Sequence, residues 1–396
     1  MCLQFAGWGS WAPVLGVHLG NMGFTGAEIG SIYGTAALAT ILAPMIAGQI
    51  ADRWVATERF LSLSFLMSAI FLYMASRVTA DDPSKVSKLW WYAFGAMVFF
   101  GPSLGLANSL SFSHMTDPAK DFPVVRVLGT IGWIAAGITV TTWLKANPGR
   151  PIGDCLVIGA VYSAINAVYC LTLPHTPPKR SGVETLAAAK AFKMLKDPSF
   201  ALLIVLAFVL LVFATFYYTF GGQFFKAIGI EEANIPSVMV IGQVAEILTM
   251  FALPFVYRTL GSKKTIALGV IFWAVRFCLY ALGKPIGLMY VAQAMHGACF
   301  AFALAGAMIY VERICAPDIR ASAQSLLSLA TYGVGMMVGS ILGGWLKDKS
   351  TVAGVTEWST VWWVAAGGCF AVLILFLAIF RARDAEAAPA PGSAAA

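Results

Sequence analysis

From Cys2 onward the chain alternates long apolar runs with short polar breaks. Each run is long enough to cross a bilayer core of about 30 Å as a helix. Cutting at turn residues and charges predicts twelve spans: 2–20, 27–51, 59–77, 88–113, 122–144, 153–173, 198–224, 236–257, 264–282, 286–311, 320–346 and 358–381. The longest polar break, "LPHTPPKRSGVETLAAAKAFKMLKDPSF", falls between spans six and seven. It divides the chain into two six-span units, 1–173 and 198–381, joined by a central loop at 174–197. The Ala/Pro-rich segment 382–396 reads as a disordered tail. The expected fold class is therefore an all-α membrane protein of twelve transmembrane helices.

Composition supports this. Only 11% of residues are charged, against about 25% in soluble chains. The net charge of +7 would suggest nucleic acid in a soluble protein. Here the basic residues sit in short loops, so the partner they imply is the lipid bilayer and not nucleic acid. An even span count puts both termini on one side. That side holds the larger share of the 26 Lys and Arg, so the termini are expected in the cytoplasm. The seven cysteines lie scattered in apolar segments without a CxxC, and the four histidines show no metal spacing. No nucleophile elbow or Walker loop occurs. An enzyme, a metal site and a cofactor are all disfavoured.

The halves echo each other. "PVVR" (Pro123 to Arg126) opens span five, and "PDIR" (Pro317 to Arg320) opens span eleven. Matched positions in a 6 + 6 chain point to two repeats around a central cavity, as in secondary transporters.

Polar residues inside spans mark the candidate site, because a mid-bilayer charge costs roughly 2.5–3.5 kcal/mol on insertion scales. Glu246 in "VMVIGQVAEILTMF" lies midway between Pro236 and Arg258. It is too short to reach either surface and must face the bundle interior. Gln243, one turn earlier, faces the same way. The plainer alternative is a polar clamp between helices. Arg126, Thr130 and Trp133 form one stripe on span five, suited to a polar heterocycle or sugar. A snorkelling arginine near a helix end is the competing reading. Arg276 lies deeper, with an acid or helix carbonyls as its expected partner. Among many aromatics, Tyr217 and Tyr218, with Gln223 nearby, carry polar tips within span seven.

Several motifs occur in order along nearly the whole chain: "DFPVVRVLGTIGW", "LTLPHTPP", "GQVAEIL" and "PDIRASAQSL". With them the chain resembles the nucleoside:proton symporter family of the major facilitator superfamily. "GQIADRW" after span two fits that superfamily's loop signature, giving Gly48, Asp52 and Arg53 a structural and gating role. The resemblance implies two six-helix bundles around a central cavity, and nucleoside import by proton symport through alternating access. It implies a monomer in a bacterial inner membrane, with a nucleoside and a proton as partners. Residue by residue, it implies substrate contacts from Gln243, Glu246, Arg126, Thr130, Trp133 and Phe300, with Glu246 also carrying the coupling proton. Two positions depart from the family pattern. Thr215 and Tyr218 stand where the family has a Gln/Asn pair, and Ala301 stands where it has an aspartate beside the aromatic. Ala301 is expected to face the same cavity as Glu246. These departures keep two alternatives open: a same-fold carrier of another small polar solute, and a non-transporting signalling or scaffold relative.

Overall fold

The computed structural model describes residues 1–177, 194–316 and 319–382. All twelve predicted spans are helical there. Span one is two pieces, Cys2–Trp11 and Leu15–Asn21. Pro13 lies in the break, where its missing N–H costs least. The Tyr33 hydroxyl satisfies the freed backbone: it donates to Ala12 O at 2.8 Å and accepts from Gly16 N at 2.9 Å. Spans two to six are Gly26–Arg53, Thr57–Ser76, Lys85–Ser113, Pro118–Ala146 and Asp154–Cys170. Span seven, Pro198–Ala227, opens on Pro198. Asp197 caps it, accepting from Ser199 N at 2.9 Å.

Spans eight and nine run as Ile235–Leu282 and are separated only at Gly261, whose φ of 75° lies in the left-handed region that glycine tolerates. Span ten is Ile286–Ala298 and Gly306–Ile314 around a π-helical stretch, Cys299–Ala305. Span eleven repeats the device, with Arg320–Ser328 and Met336–Lys349 flanking π-helical Leu329–Gly335. A two-stranded hairpin, Thr351–Val352 with Val355–Thr356, leads into span twelve, Trp358–Ile379. Neither the π turns nor the hairpin has a signal in the apolar pattern.

Between described residues, every hydrogen bond joining the first six spans to the last six lies on the side away from the termini. Gln223 Nε2 donates to Gly16 O at 2.5 Å. Asn21 donates to Glu232 at 3.0 Å and accepts from Lys226 at 2.6 Å, and Lys226 also pairs with Glu232. Ser237 N donates to Thr141 Oγ1 at 3.1 Å. Asp348, at the end of span eleven, accepts from the first amides of span two, Gly26 at 2.5 Å and Ala27 at 2.8 Å. That carboxylate satisfies orphan amides at a helix start and opposes the helix dipole. Glycine makes the approach possible: a Cβ on Gly30 would run into the Ser340 carbonyl. The two six-span bundles are thus sealed on one side of the midplane.

On the termini side, among the described residues, the bonds stay within one bundle or the other: Lys263 of the second bundle donates to Leu377 O at 2.8 Å. Glu58 accepts from His175 Nδ1 at 2.8 Å and Thr176 N at 3.0 Å, while His114 Nε2 meets Thr176 Oγ1 at 2.8 Å. The "LTLPHTPP" motif therefore straps the end of span six onto spans three and four. The side chains of Gly48, Asp52 and Arg53 lie outside the described residues.

Candidate functional site

Glu246 is half-buried at mid-span. Among the described residues its carboxylate has no hydrogen bond and no ion pair; only its backbone carbonyl is used, by Thr249 Oγ1 at 3.1 Å. The charge that bears on it is Arg126, across from span five. Tyr218 of span seven and Tyr332 of span eleven feel the same carboxylate. One carboxylate, one guanidinium and two phenols, from four spans and both bundles, thus lie within electrostatic reach of one another. Gln243 stands beside them, its Oε1 buried and without a partner among the described residues. An enclosed acceptor left unmade is costly unless a ligand or water satisfies it.

Close packing fixes Glu246 in place. Gly297 of span ten lies directly on the backbone of Ala245 and Glu246, and any Cβ there would collide with it. Mid-span glycine at this crossing was a readable signal that the apolar pattern alone did not single out. Tyr332 was missed as well; its position on a π-helical stretch is a frequent mark of functional sites, but that stretch is visible only in three dimensions.

The span-five stripe lies along span one. Arg126 is exposed, with its guanidinium carbon 4.9 Å from the Phe5 ring centroid. Trp133 packs edge-on against Trp8 at 5.3 Å, and Trp8 continues to Phe100 at 5.3 Å. Thr130, between them, is half-buried. The repeat mate Arg320 does something different: it pairs with Glu312 at 3.4 Å and donates to Cys315 O at 3.1 Å, anchoring a helix end. Phe300 is half-buried on the π-helical stretch of span ten.

Five expectations need correction. Tyr217 is 1% exposed, and its hydroxyl accepts from Gln293 Nε2 at 2.7 Å, so it is committed to the packed interior of the second bundle. Thr215 is also 1% exposed and bonds back to Leu211 O at 2.6 Å, so only Tyr218 of that pair faces the site. Gln223 belongs to the sealed side described above. Ala301 is fully buried in a small apolar cluster with Leu253, Tyr257 and Phe302. It sits one turn past Gly297, on the face of span ten pressed against span eight, and not in the cavity. Arg276, for its part, meets neither an acid nor a helix carbonyl among the described residues; its acceptors are Tyr280, Gln293 and His296.

A twelve-span bundle pair, sealed on one side and carrying a carboxylate and an amide at mid-depth with an arginine across from them, defines a secondary transporter of the major facilitator type. The nucleoside H+ symporter family matches residues 1–385, and the chain belongs to that family. The nucleoside permease NupG of Escherichia coli (strain K12) is 30% identical over 403 residues, covering 96% of this chain and 94% of the permease. The xanthosine permease of the same strain is 33% identical over 401 residues, with the same coverage. The crystal structure of nucleoside transporter NupG superposes with a TM-score of 0.86 at 29% identity, covering 96% of this chain and 97% of that one.

Proposed function

We propose that this protein imports nucleosides together with protons, by alternating access. The observation that carries the reading is Glu246: a half-buried carboxylate at mid-span with no hydrogen bond or ion pair among the described residues, within electrostatic reach of Arg126 in the opposite bundle. Such a group can hold a proton, accept ribose hydroxyls, or do each in turn. Proton and solute binding there are linked, each shifting the other's equilibrium. Gln243 supplies an acceptor left unpaired among the described residues, and an amide donor, for the base or sugar. Arg126, Thr130, Tyr218 and Tyr332 complete the polar wall, and Phe300 and Trp133 offer aromatic faces for a base.

The units 1–173 and 198–381 act as the two rocking bodies, with 174–197 as the tether. With cytoplasmic termini in a bacterial inner membrane, the sealed side is periplasmic and the described conformation faces inward. A single chain contains every residue assigned to the path, so a monomer suffices. Thr215 in place of the family's amide gives the second reading its support, a carrier of a different small polar solute.

A competition panel separates the two. Uptake of labelled uridine in proteoliposomes is expected to be blocked by nucleosides and not by free bases or sugars. Displacement by sugars alone would favour the second reading, and failure of every solute to bind would favour a scaffold. Gln243→Ala is expected to weaken nucleoside binding by about 1–3 kcal/mol, measured by calorimetry, since it leaves a ligand group unpaired. Unchanged affinity would make Gln243 a clamp.

The seal gives a separate expectation. Asp348→Ala removes the cap of span two, worth about 1 kcal/mol, and tips the protein toward the outward-open state. A thiol at Ser340, a position 1% exposed beneath the seal, is expected to react several-fold faster with an impermeant maleimide in that background. An unchanged rate would show that the cap does not hold the gate.

A further inference from the structure

Behind the site, Arg276 of span nine is fully buried, and among the described residues no carboxylate accompanies it. Buried arginines in membranes usually pair with acids or carbonyls. Here aromatic faces and neutral acceptors serve instead. The guanidinium carbon lies 3.9 Å from the Tyr217 ring centroid, 5.3 Å from Trp273 and 5.2 Å from Tyr280. Nη2 donates to Tyr280 Oη at 2.9 Å and Gln293 Oε1 at 3.0 Å. Nη1 meets His296 Nδ1 at 3.0 Å. Gln293 then donates to Tyr217 Oη at 2.7 Å and to Met239 O at 3.0 Å, so the network ties spans seven to ten together.

The contact with His296 has only one chemical solution. A guanidinium carries donors and no acceptor, and it does not deprotonate in proteins. Nδ1 of His296 must therefore be the acceptor, and the ring must carry its hydrogen on Nε2. A protonated ring would set N–H against N–H beside a permanent cation. The other groups around the ring do not offset this. Tyr280 comes from span nine, Tyr217 and Tyr218 from span seven, and Cys299 from its own span; all are neutral donors or weak acids. Trp273 stands edge-on at 5.9 Å, as does Tyr218. From span eight the ring meets the backbone at Gly242, while the Glu246 carboxylate bears on Tyr218.

We propose that Arg276 is a positioning residue that locks His296 as the neutral Nε2–H tautomer, withholding this histidine from proton traffic so that Glu246 alone exchanges protons. The second half rests on the proposed function; the tautomer lock does not.

Nitrogen-15 NMR of the full-length, histidine-labelled protein tests the lock directly. There are four histidines, and His296→Gln assigns the signal. The expected result is a neutral ring protonated on Nε2, unchanged as pH falls from about 8 to about 5, the window in which free histidine titrates. A titrating signal, or a hydrogen on Nδ1, overturns the proposal. In Arg276→Gln the ring is expected to titrate, and the pH profile of uptake gains a second inflection that His296→Gln removes. A single, unshifted inflection in a folded Arg276→Gln protein denies Arg276 its role. If that variant does not fold, the wild-type spectrum still decides. A locked ring together with pH-driven uptake that survives Glu246→Gln would leave the lock standing and overturn Glu246 as the sole proton carrier.

Discussion

Glu246→Gln ends pH-gradient-driven accumulation of nucleoside while the protein stays folded. The substitution is nearly isosteric and removes only charge and titration. The side chain has no bond to lose among the described residues, and the backbone bond from Thr249 is untouched. The close seat of Gly297 on the Glu246 backbone is likewise indifferent to the side chain. Coupling behaves differently. One pH unit is worth about 1.4 kcal/mol, a tenfold accumulation ratio if one proton accompanies each solute. Glutamine cannot carry that proton, so uptake falls to equilibration with the external concentration. The check is uptake in proteoliposomes with and without an imposed gradient, beside a melting curve in detergent. Accumulation at the wild-type ratio would remove Glu246 from the coupling step.

Ala301→Asp destabilises the protein by several kcal/mol. The family's aspartate at this place makes the substitution look like a restoration, but the structure gives it no room. Ala301 is fully enclosed with Leu253, Tyr257 and Phe302, on the face of span ten that meets span eight. An aspartate there is either a buried charge without a partner or a buried acid without an acceptor, and both are costly. The measurement is the thermal midpoint and the monodisperse yield in detergent, compared with Ala301→Ser as a small polar control. A variant as stable as wild type that binds nucleoside more tightly would put position 301 in the cavity after all.

How much of this was legible in the sequence follows from what each feature depends on. Span positions rest on local hydropathy, so the twelve helices could be read directly, and Gly261 fell within the predicted break between spans eight and nine. Glu246 was legible because a short acid at mid-span has nowhere to go but inward. The burial of Tyr217 was not, since a phenol in an apolar run looks the same whether it faces a cavity or a packed arginine. Arg276 was visible as an anomaly, but its acceptors Gln293 and His296 come from another span, and helix rotation decided the pairing. Tyr332 and Ala301 both depend on π-helical stretches that turn one residue away from the expected face. Asp348 reads as an ordinary loop acid until span two is placed beside it.

The central claim is that solute and proton cross together through Glu246. It is tested most directly by adding nucleoside to lightly buffered proteoliposomes held at zero pH gradient, while a trapped dye reports internal pH. The account predicts that inward nucleoside flow acidifies the lumen in the wild type, and that Glu246→Gln abolishes the acidification while nucleoside still binds. Nucleoside entry by the wild type with no change in internal pH would contradict it.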